Sequence, residues 1–257
     1  MYKIIRAILF RLPAELSHDF ALRAMKLAER FGVLSVFSAR FKLPPTPATI
    51  MGIQFPHRVG LAAGLDKNAD YADALQALGF AWLELGTITP RPQPGNPKPR
   101  MFRLAAERGI INRLGFNNKG LEQALANVAK RRRRGVVGIN IGKNFDTPIE
   151  RANEDYLLGL RNSYALADYI AINISSPNTP GLRTLQYGEE LDSLLGALCS
   201  ERESLARAQG RHVPLAVKLA PDMSPEELKL CCEKLLSHGI EGVIATNTTF
   251  DRPAGEP

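Results

Sequence analysis

Six short apolar runs separated by stretches with helical spacing constrain this chain more than any other feature of its sequence. They fall at residues 58–64, 82–87, 136–141, 169–174, 215–219 and 242–247. Near-continuous apolarity, rather than alternation, is what a strand buried on both faces requires, and helices between such strands make the sheet parallel. The fold class is therefore α/β. Polar and reactive groups collect where these runs end: Asp66 and Lys67, Thr87, Asn140, Asn173 with Ser175 and Ser176, Lys218, and Thr246 with Asn247. Chemistry gathered from many strand ends onto one face is the habit of a (β/α)8 barrel, whereas a doubly wound sheet concentrates it at one switch point. No Gly-x-Gly-x-x-Gly opens a helix after the first run. The sequence thus predicts a TIM barrel with six of its eight strands inside 257 residues.

The N-terminal part reads differently. Ile4, Ile5, Ile8, Leu9 and Leu12 recur at helical spacing with Lys3, Arg6 and Arg11 between them, and a second helix is expected after Ser17 as N-cap. Prolines at 44, 45 and 47 cannot continue a helix, so the boundary is drawn there: residues 1–45 form a small amphipathic helical domain and 46–257 the barrel domain. Residues 49–55 around Gly52 read as a hairpin at its entrance. Two basic amphipathic helices suit either packing on the barrel or lying on an anionic membrane surface. No apolar run is long enough to cross a bilayer, and Arg11 interrupts any signal-peptide pattern.

The net charge of +7 is unevenly spread. Residues 1–45 carry eight Lys/Arg against three Asp/Glu, and the run at 130–134 adds five more positive charges, so the rest of the chain is mildly acidic. That basic run closes a helical pattern of Leu121, Leu125 and Val128, where cations favour the helix dipole, and a nucleic-acid partner is not expected from it. Cys199, Cys231 and Cys232 sit in helical segments without metal-ligand spacing, so no disulfide framework and no metal site are expected. His18, His57, His212 and His238 fall outside the inferred active face, and no nucleophilic triad or zinc set forms.

Two loops are too polar for core elements: residues 112–118, Asn-Arg-Leu-Gly-Phe-Asn-Asn, and residues 175–181, Ser-Ser-Pro-Asn-Thr-Pro-Gly. Each alone reads as a surface turn. Together with the strand ends they offer Asn112, Asn173, Asn178 and Asn247, and carboxamides match the donor and acceptor edges of a flat ring. Lys218 projects from an apolar run, which is unfavourable unless the ammonium meets a partner.

Residues 61–67 (Leu-Ala-Ala-Gly-Leu-Asp-Lys), 86–96, 111–118, 173–183 and 245–249 resemble, in order and over essentially the whole chain, the dihydroorotate dehydrogenases of the membrane-associated, quinone-linked class 2. That resemblance implies a barrel carrying FMN at its C-terminal face. It places FMN on Ala63, Gly64, Leu65, Asp66, Lys67, Thr87, Asn140, Asn173, Lys218 and Thr246. It places dihydroorotate on Lys67, Asn112, Arg113, Leu114, Gly115, Phe116, Asn173, Asn178, Asn247 and Thr248. Ser176 stands at the position of the catalytic base, where class 1 enzymes carry cysteine, with Thr179 and Phe116 beside it.

The resemblance further implies oxidation of dihydroorotate to orotate in pyrimidine biosynthesis, electron transfer to a quinone entering between the two N-terminal helices, and a peripheral position on the cytoplasmic face of the inner membrane. Class 2 chains continue for roughly two more βα units bearing glycine-rich loops for the FMN phosphate. The expectation is accordingly a truncated chain that binds FMN weakly and is inactive or unstable. Two alternatives stay open: an inactive remnant, and another FMN barrel such as a tRNA dihydrouridine synthase, which would need a cysteine acid near the flavin.

Overall fold

In a computed structural model the protein is described over residues 2–38, 44–133 and 135–251. The chain opens with helices α1 (Tyr2–Leu9), α2 (Ala14–Arg30) and α3 (Val33–Ser38), followed by a hairpin of β1 (Ala48–Ile50) and β2 (Ile53–Phe55). The barrel domain then runs α4 (Ala72–Ala77), β3 (Trp82–Ile88), a second hairpin β4 (Met101–Leu104) and β5 (Gly109–Asn112), α5 (Gly120–Ala129), β6 (Val136–Ile141), α6 (Ala152–Ser163), β7 (Tyr169–Asn173), α7 (Gly188–Gln209), β8 (Leu215–Leu219), α8 (Pro225–Ser237) and β9 (Gly242–Ala245). Leu43, at the proposed boundary, and Arg134, the last residue of the basic run, lie outside the described residues.

The main sheet has the order β3-β6-β7-β8-β9, and every pairing is parallel. Spatial order equals chain order, with no reversal. A doubly wound sheet must reverse at its switch point, so this is the arc of an incomplete (β/α)8 barrel. Strands β6, β7 and β8 are buried almost end to end, while β9 alternates half-buried and exposed residues because one side of it meets no further strand among the described residues.

The first apolar run is less regular than its composition suggests. Residues 58–64 pair with β3 through one parallel bridge, Leu61 with Leu83, supported by Leu61 N–H donating to Trp82 O at 3.0 Å and Glu84 N–H to Leu61 O at 2.8 Å. Gly60 explains part of this: a Cβ there would fall 2.0 Å from the Trp82 indole, so the segment crosses Trp82 at a distance only glycine permits.

The core lies between the sheet and its helices, built on Leu83, Leu85, Ile139, Ile141, Ile170, Ile172 and Val217 from the strands and Tyr156, Leu160, Leu194 and Leu198 from α6 and α7. At about 25 cal/mol per Å² of apolar area removed from water, such fully buried side chains contribute on the order of 1.5–3 kcal/mol each. The expected N-cap at Ser17 is not one. Helix α2 begins at Ala14 behind Pro13, and Ser17, inside its first turns, donates its hydroxyl to Leu9 O at 2.6 Å. The hydroxyl joins the Leu12 N–H on the Leu9 carbonyl at the end of α1, which fastens the two helices at their corner. The basic run pairs inward: Arg132 meets Glu29 of α2 at 2.7 Å and Asp73 of α4 at 3.5 Å.

Candidate active site

A cavity of about 470 Å³ opens at the C-terminal ends of the strands. The loop after the Leu61 bridge contributes Ala63, Gly64, Leu65 and Lys67; β3 contributes Thr87, β7 Asn173 and β8 Lys218. Asn112 at the end of β5 and loop residues Leu114, Gly115, Phe116, Ser176, Asn178, Asn247 and Thr248 complete that side. The opposite wall comes from the N-terminal helices and the second hairpin, through Leu9, Phe10, Ala14, Ser17, His18, Met101, Arg103 and Ile110. The two helices therefore share one cavity with the strand ends.

Local geometry explains how these groups converge. Gly86 has φ +128°, and a Cβ on it would sit 2.4 Å from the Asn140 carbonyl. Its absence lets β3 press against β6, so that the Thr87 hydroxyl donates to Asn140 Oδ1 at 2.6 Å. Asn173 Nδ2 donates to the same hydroxyl at 2.7 Å, and Asn247 Nδ2 donates to Ser175 Oγ at 3.1 Å. Tyr156, fully buried, donates to Asn173 O at 2.8 Å and fixes the backbone behind the site; burial pushes its phenol above the ordinary range. Phe116 is held at φ +52°, a left-handed conformation rarely adopted by a bulky side chain. The Asn118 amide donates to its carbonyl at 2.7 Å, securing that strained turn.

Electrostatically the cavity is cationic. Lys67 is driven down to about 8 by burial first and by the charge of Arg100 second. The side chain of Lys218, a residue 7% exposed, forms no hydrogen bond or ion pair among the described residues. His18 is held below its ordinary value by burial and then by Lys67. Ser176 is buried, and its Oγ accepts the Asn178 N–H at 3.3 Å.

Five of the sequence-predicted residues do not line the cavity. Asn140 sits one layer beneath it, bonded to Thr87. Asp66 accepts the backbone N–H groups of Asp70 at 3.0 Å and Tyr71 at 2.8 Å, shaping the loop that carries Lys67. Burial raises its carboxyl to about 6 against the pull of those bonds. Arg113 turns outward and donates to Pro99 O at 3.0 Å. Thr179 is buried behind Ser176, and Thr246 is exposed, its hydroxyl on Asn247 O.

Sequence reasoning set all four histidines apart from the active face; the fold brings His18 into the cavity, because α2 packs across the strand ends. A charge in an apolar run, the signal that singled out Lys218, also marks Glu84 in Trp-Leu-Glu-Leu, yet Glu84 went unnoticed. Cys199, Cys231 and Cys232 lie in α7 and α8 and none lines the cavity, so no cysteine acid stands where a dihydrouridine synthase would need one.

Comparison with known proteins agrees with this geometry. The sequence profile of the dihydroorotate dehydrogenase family matches residues 46–256. The dihydroorotate dehydrogenase (quinone) of Marinobacter nauticus is 54% identical over 99% of this chain and 74% of its own length, and that of Cellvibrio japonicus is 55% identical over 100% and 74%. Among solved structures, the dihydroorotate dehydrogenase of Eimeria tenella in complex with ferulenol superposes with a TM-score of 0.79 at 39% identity, covering 93% of this chain and 68% of that one. Its ligand-free form gives 0.76 at 41% identity, covering 87% and 69%. The chain belongs to the dihydroorotate dehydrogenase family, in its quinone-linked class 2.

Proposed function

We propose that the cavity oxidises dihydroorotate to orotate, with FMN as bound cofactor and a quinone as terminal acceptor. The observation that carries this reading is the convergence of Ser176, Asn173, Asn178, Asn247, Lys67 and Lys218 on one cavity with α1 and α2 as its far wall.

The residues fit a flavin. Lys218 is a buried residue that lines the cavity, and its ammonium has no partner among the described residues, which suits it to an electron-rich ring edge. A Cβ built on Gly64, at φ +110°, meets no protein atom within 4 Å, leaving backbone room for a ligand to approach. Ala63, Leu65, Thr87, Asn140, Asn173 and Thr246 complete the proposed flavin set, with Asp66 acting through the loop. FMN, when bound, supplies the hydride acceptor.

The chain's own groups then have distinct tasks. Asn112, Asn173, Asn178 and Asn247, with Thr248 and the 113–116 backbone, bind the substrate ring through its alternating carbonyl and N–H edges. Lys67 meets its carboxylate. Ser176 Oγ takes the proton from the carbon next to the ring carbonyl as its own hydroxyl proton leaves toward Thr179, and the Asn178 N–H aimed at that oxygen eases the loss of the hydroxyl proton. Thr179 passes the proton outward, and Phe116 covers the reacting face against water.

The amphipathic helices give the quinone a route. Ile4, Ile5 and Ile8 of α1 are exposed beside Lys3 and Arg6, so residues 1–45 serve as a peripheral anchor on the cytoplasmic face of the membrane while 46–257 hold the flavin. No described helix is long and apolar enough to cross a membrane. The test is dye-coupled dihydroorotate oxidation with added FMN and quinone. Ser176→Ala is expected to lower kcat by about 10²–10⁴-fold with bound flavin retained; equal turnover in that variant removes the base from Ser176.

A further inference from the structure

The side-chain hydrogen bonds that link β3, β6, β7 and the loop after β9 beneath the cavity all run toward one end. Asn247 Nδ2 donates to Asn173 Oδ1 at 3.3 Å, and Ser175 Oγ donates to the same oxygen at 3.1 Å. Asn173 Nδ2 donates to Thr87 Oγ1 at 2.7 Å, Thr87 Oγ1 to Asn140 Oδ1 at 2.6 Å, and Asn140 Nδ2 to Glu84 Oε1 at 2.8 Å. Tyr169 donates to Glu84 Oε2 at 3.0 Å from the other side. Glu84 is 4% exposed and is where the chain ends.

A carboxamide and a hydroxyl each donate and accept, so a string of them reads equally well in either direction. A carboxylate only accepts. Fixing one end as acceptor-only forces the Asn140 NH2 toward Glu84, which turns Asn140 Oδ1 toward Thr87, commits the Thr87 proton to it, and leaves Thr87 to accept from Asn173. We infer that Glu84 is a positioning residue, the terminal acceptor that sets donor and acceptor polarity for the asparagine amides under the cavity.

The consequence reaches the ligand. In this orientation Asn173, which lines the cavity, keeps a second N–H for a ring acceptor above it; a reversed chain would present its carbonyl oxygen instead. The inference that the favoured ligand is the isoalloxazine rests on the flavin reading above, but the orientation of the amides does not. Glu84 itself is linked through Asn140 to the cavity-lining Thr87 and lines a separate cavity, of about 720 Å³, toward the opposite end of the strands.

The experiment compares Glu84→Leu, which removes the acceptor, with Glu84→Gln, whose Oε1 can still receive Asn140 while its Nε2 turns to the Tyr169 oxygen. Side-chain amide resonances of Asn140 and Asn173 are assigned by ¹⁵N NMR on the full chain without flavin, and FMN affinity is titrated by quenching of its fluorescence. Glu84→Leu is expected to shift or double both amide pairs and to weaken FMN at least tenfold, with Glu84→Gln within threefold of the parent in both. Unchanged amides in Glu84→Leu overturn the inference, and so do equal changes in the two variants, which would indicate packing or charge rather than direction. If the parent binds no FMN, the flavin reading fails alone and the amide resonances still decide the polarity.

Discussion

Arg183 Nε donates to the Ser175 carbonyl at 3.2 Å, one residue before the proposed base. The same guanidinium meets Asp222 after β8 at 2.9 Å, donates to the Thr248 carbonyl at 3.3 Å, and stacks 4.1 Å from the Phe250 ring. One planar fork thereby holds the Ser176 loop to the loops after β8 and β9. Displacing a reacting group by an ångström is worth about 10²-fold in rate. Arg183→Lys, which keeps charge but loses the fork, is expected to lower kcat by about 10-fold or more while KM changes little. Steady-state kinetics decide it, and a pure KM effect would assign Arg183 to binding instead.

Arg100 Nη2 pairs with Glu15 at 2.7 Å, and its Nη1 donates to Pro94 O and Asn96 O, so helix α2 is fastened to the loop that backs Gly115. The Arg100 hydrogen bond holds Glu15 below the usual carboxylate range. Arg100 is buried, Glu15 is half-buried, and without Arg100 the carboxylate keeps only the exposed Lys98 ammonium at 3.3 Å. Arg100→Ala is expected to destabilise the chain by about 1.5–3 kcal/mol, the range for a hydrogen bond to a charged group. The double variant with Glu15→Ala should then be less destabilised than the sum of the singles by about 1–3 kcal/mol. Urea unfolding of the four proteins closes the cycle; strict additivity would show that the pair is not coupled.

How far the sequence led depends on which physical signal each residue leaves. Strands β6 and β8 were readable to the residue because burial on both faces writes continuous apolarity. Residues 58–64 carry the same apolarity, but Gly60 against Trp82 and a loop bending toward Lys67 limit them to a single bridge, which composition does not encode. Ser17 looked like a cap because capping residues and back-bonding residues are chemically the same; only the packing of α1 on α2 distinguishes them. His18 and Glu84 illustrate the larger gap. Which residues meet across 50 or more positions is tertiary information, and a single buried charge in a strand is its faint local trace.

The depressed Lys67 sets a pH dependence for anionic ligands. A lysine driven down to about 8 is charged below that pH and neutral above it, so its proposed attraction to the orotate carboxylate is complete in mildly acidic solution and is lost as pH rises through about 8. Orotate Kd is expected to be flat up to about pH 7 and to rise toward about tenfold per pH unit beyond 8. Lys67→Met should bind weakly at pH 7 with a flat profile. Calorimetric titration from pH 6.5 to 9.5 reads this directly, and a parent-like slope in Lys67→Met would place the titrating group elsewhere.

The proposed membrane role of α1 rests on exposed apolar area flanked by cations, and it yields the sharpest prediction about location. Ile4, Ile5 and Ile8 are 67%, 49% and 59% exposed, and Phe10 beyond them stacks between Arg6 and Arg103. Burying each isoleucine in an acyl boundary is worth on the order of 1.5–3 kcal/mol. Lys3, Arg6 and Arg11 add attraction to anionic headgroups that salt screens within about 10 Å at 0.1 M. Sedimentation with vesicles of mixed zwitterionic and anionic lipid should carry the chain down, and raising salt should weaken but not abolish that. Ile4→Asp combined with Ile8→Asp should reduce partitioning by about 10²-fold or more while the thermal midpoint stays near the parent's, because neither side chain contributes to the core. Binding that vanishes with salt and ignores the two isoleucines would reduce α1 to a purely electrostatic contact and remove the apolar anchor from the proposal.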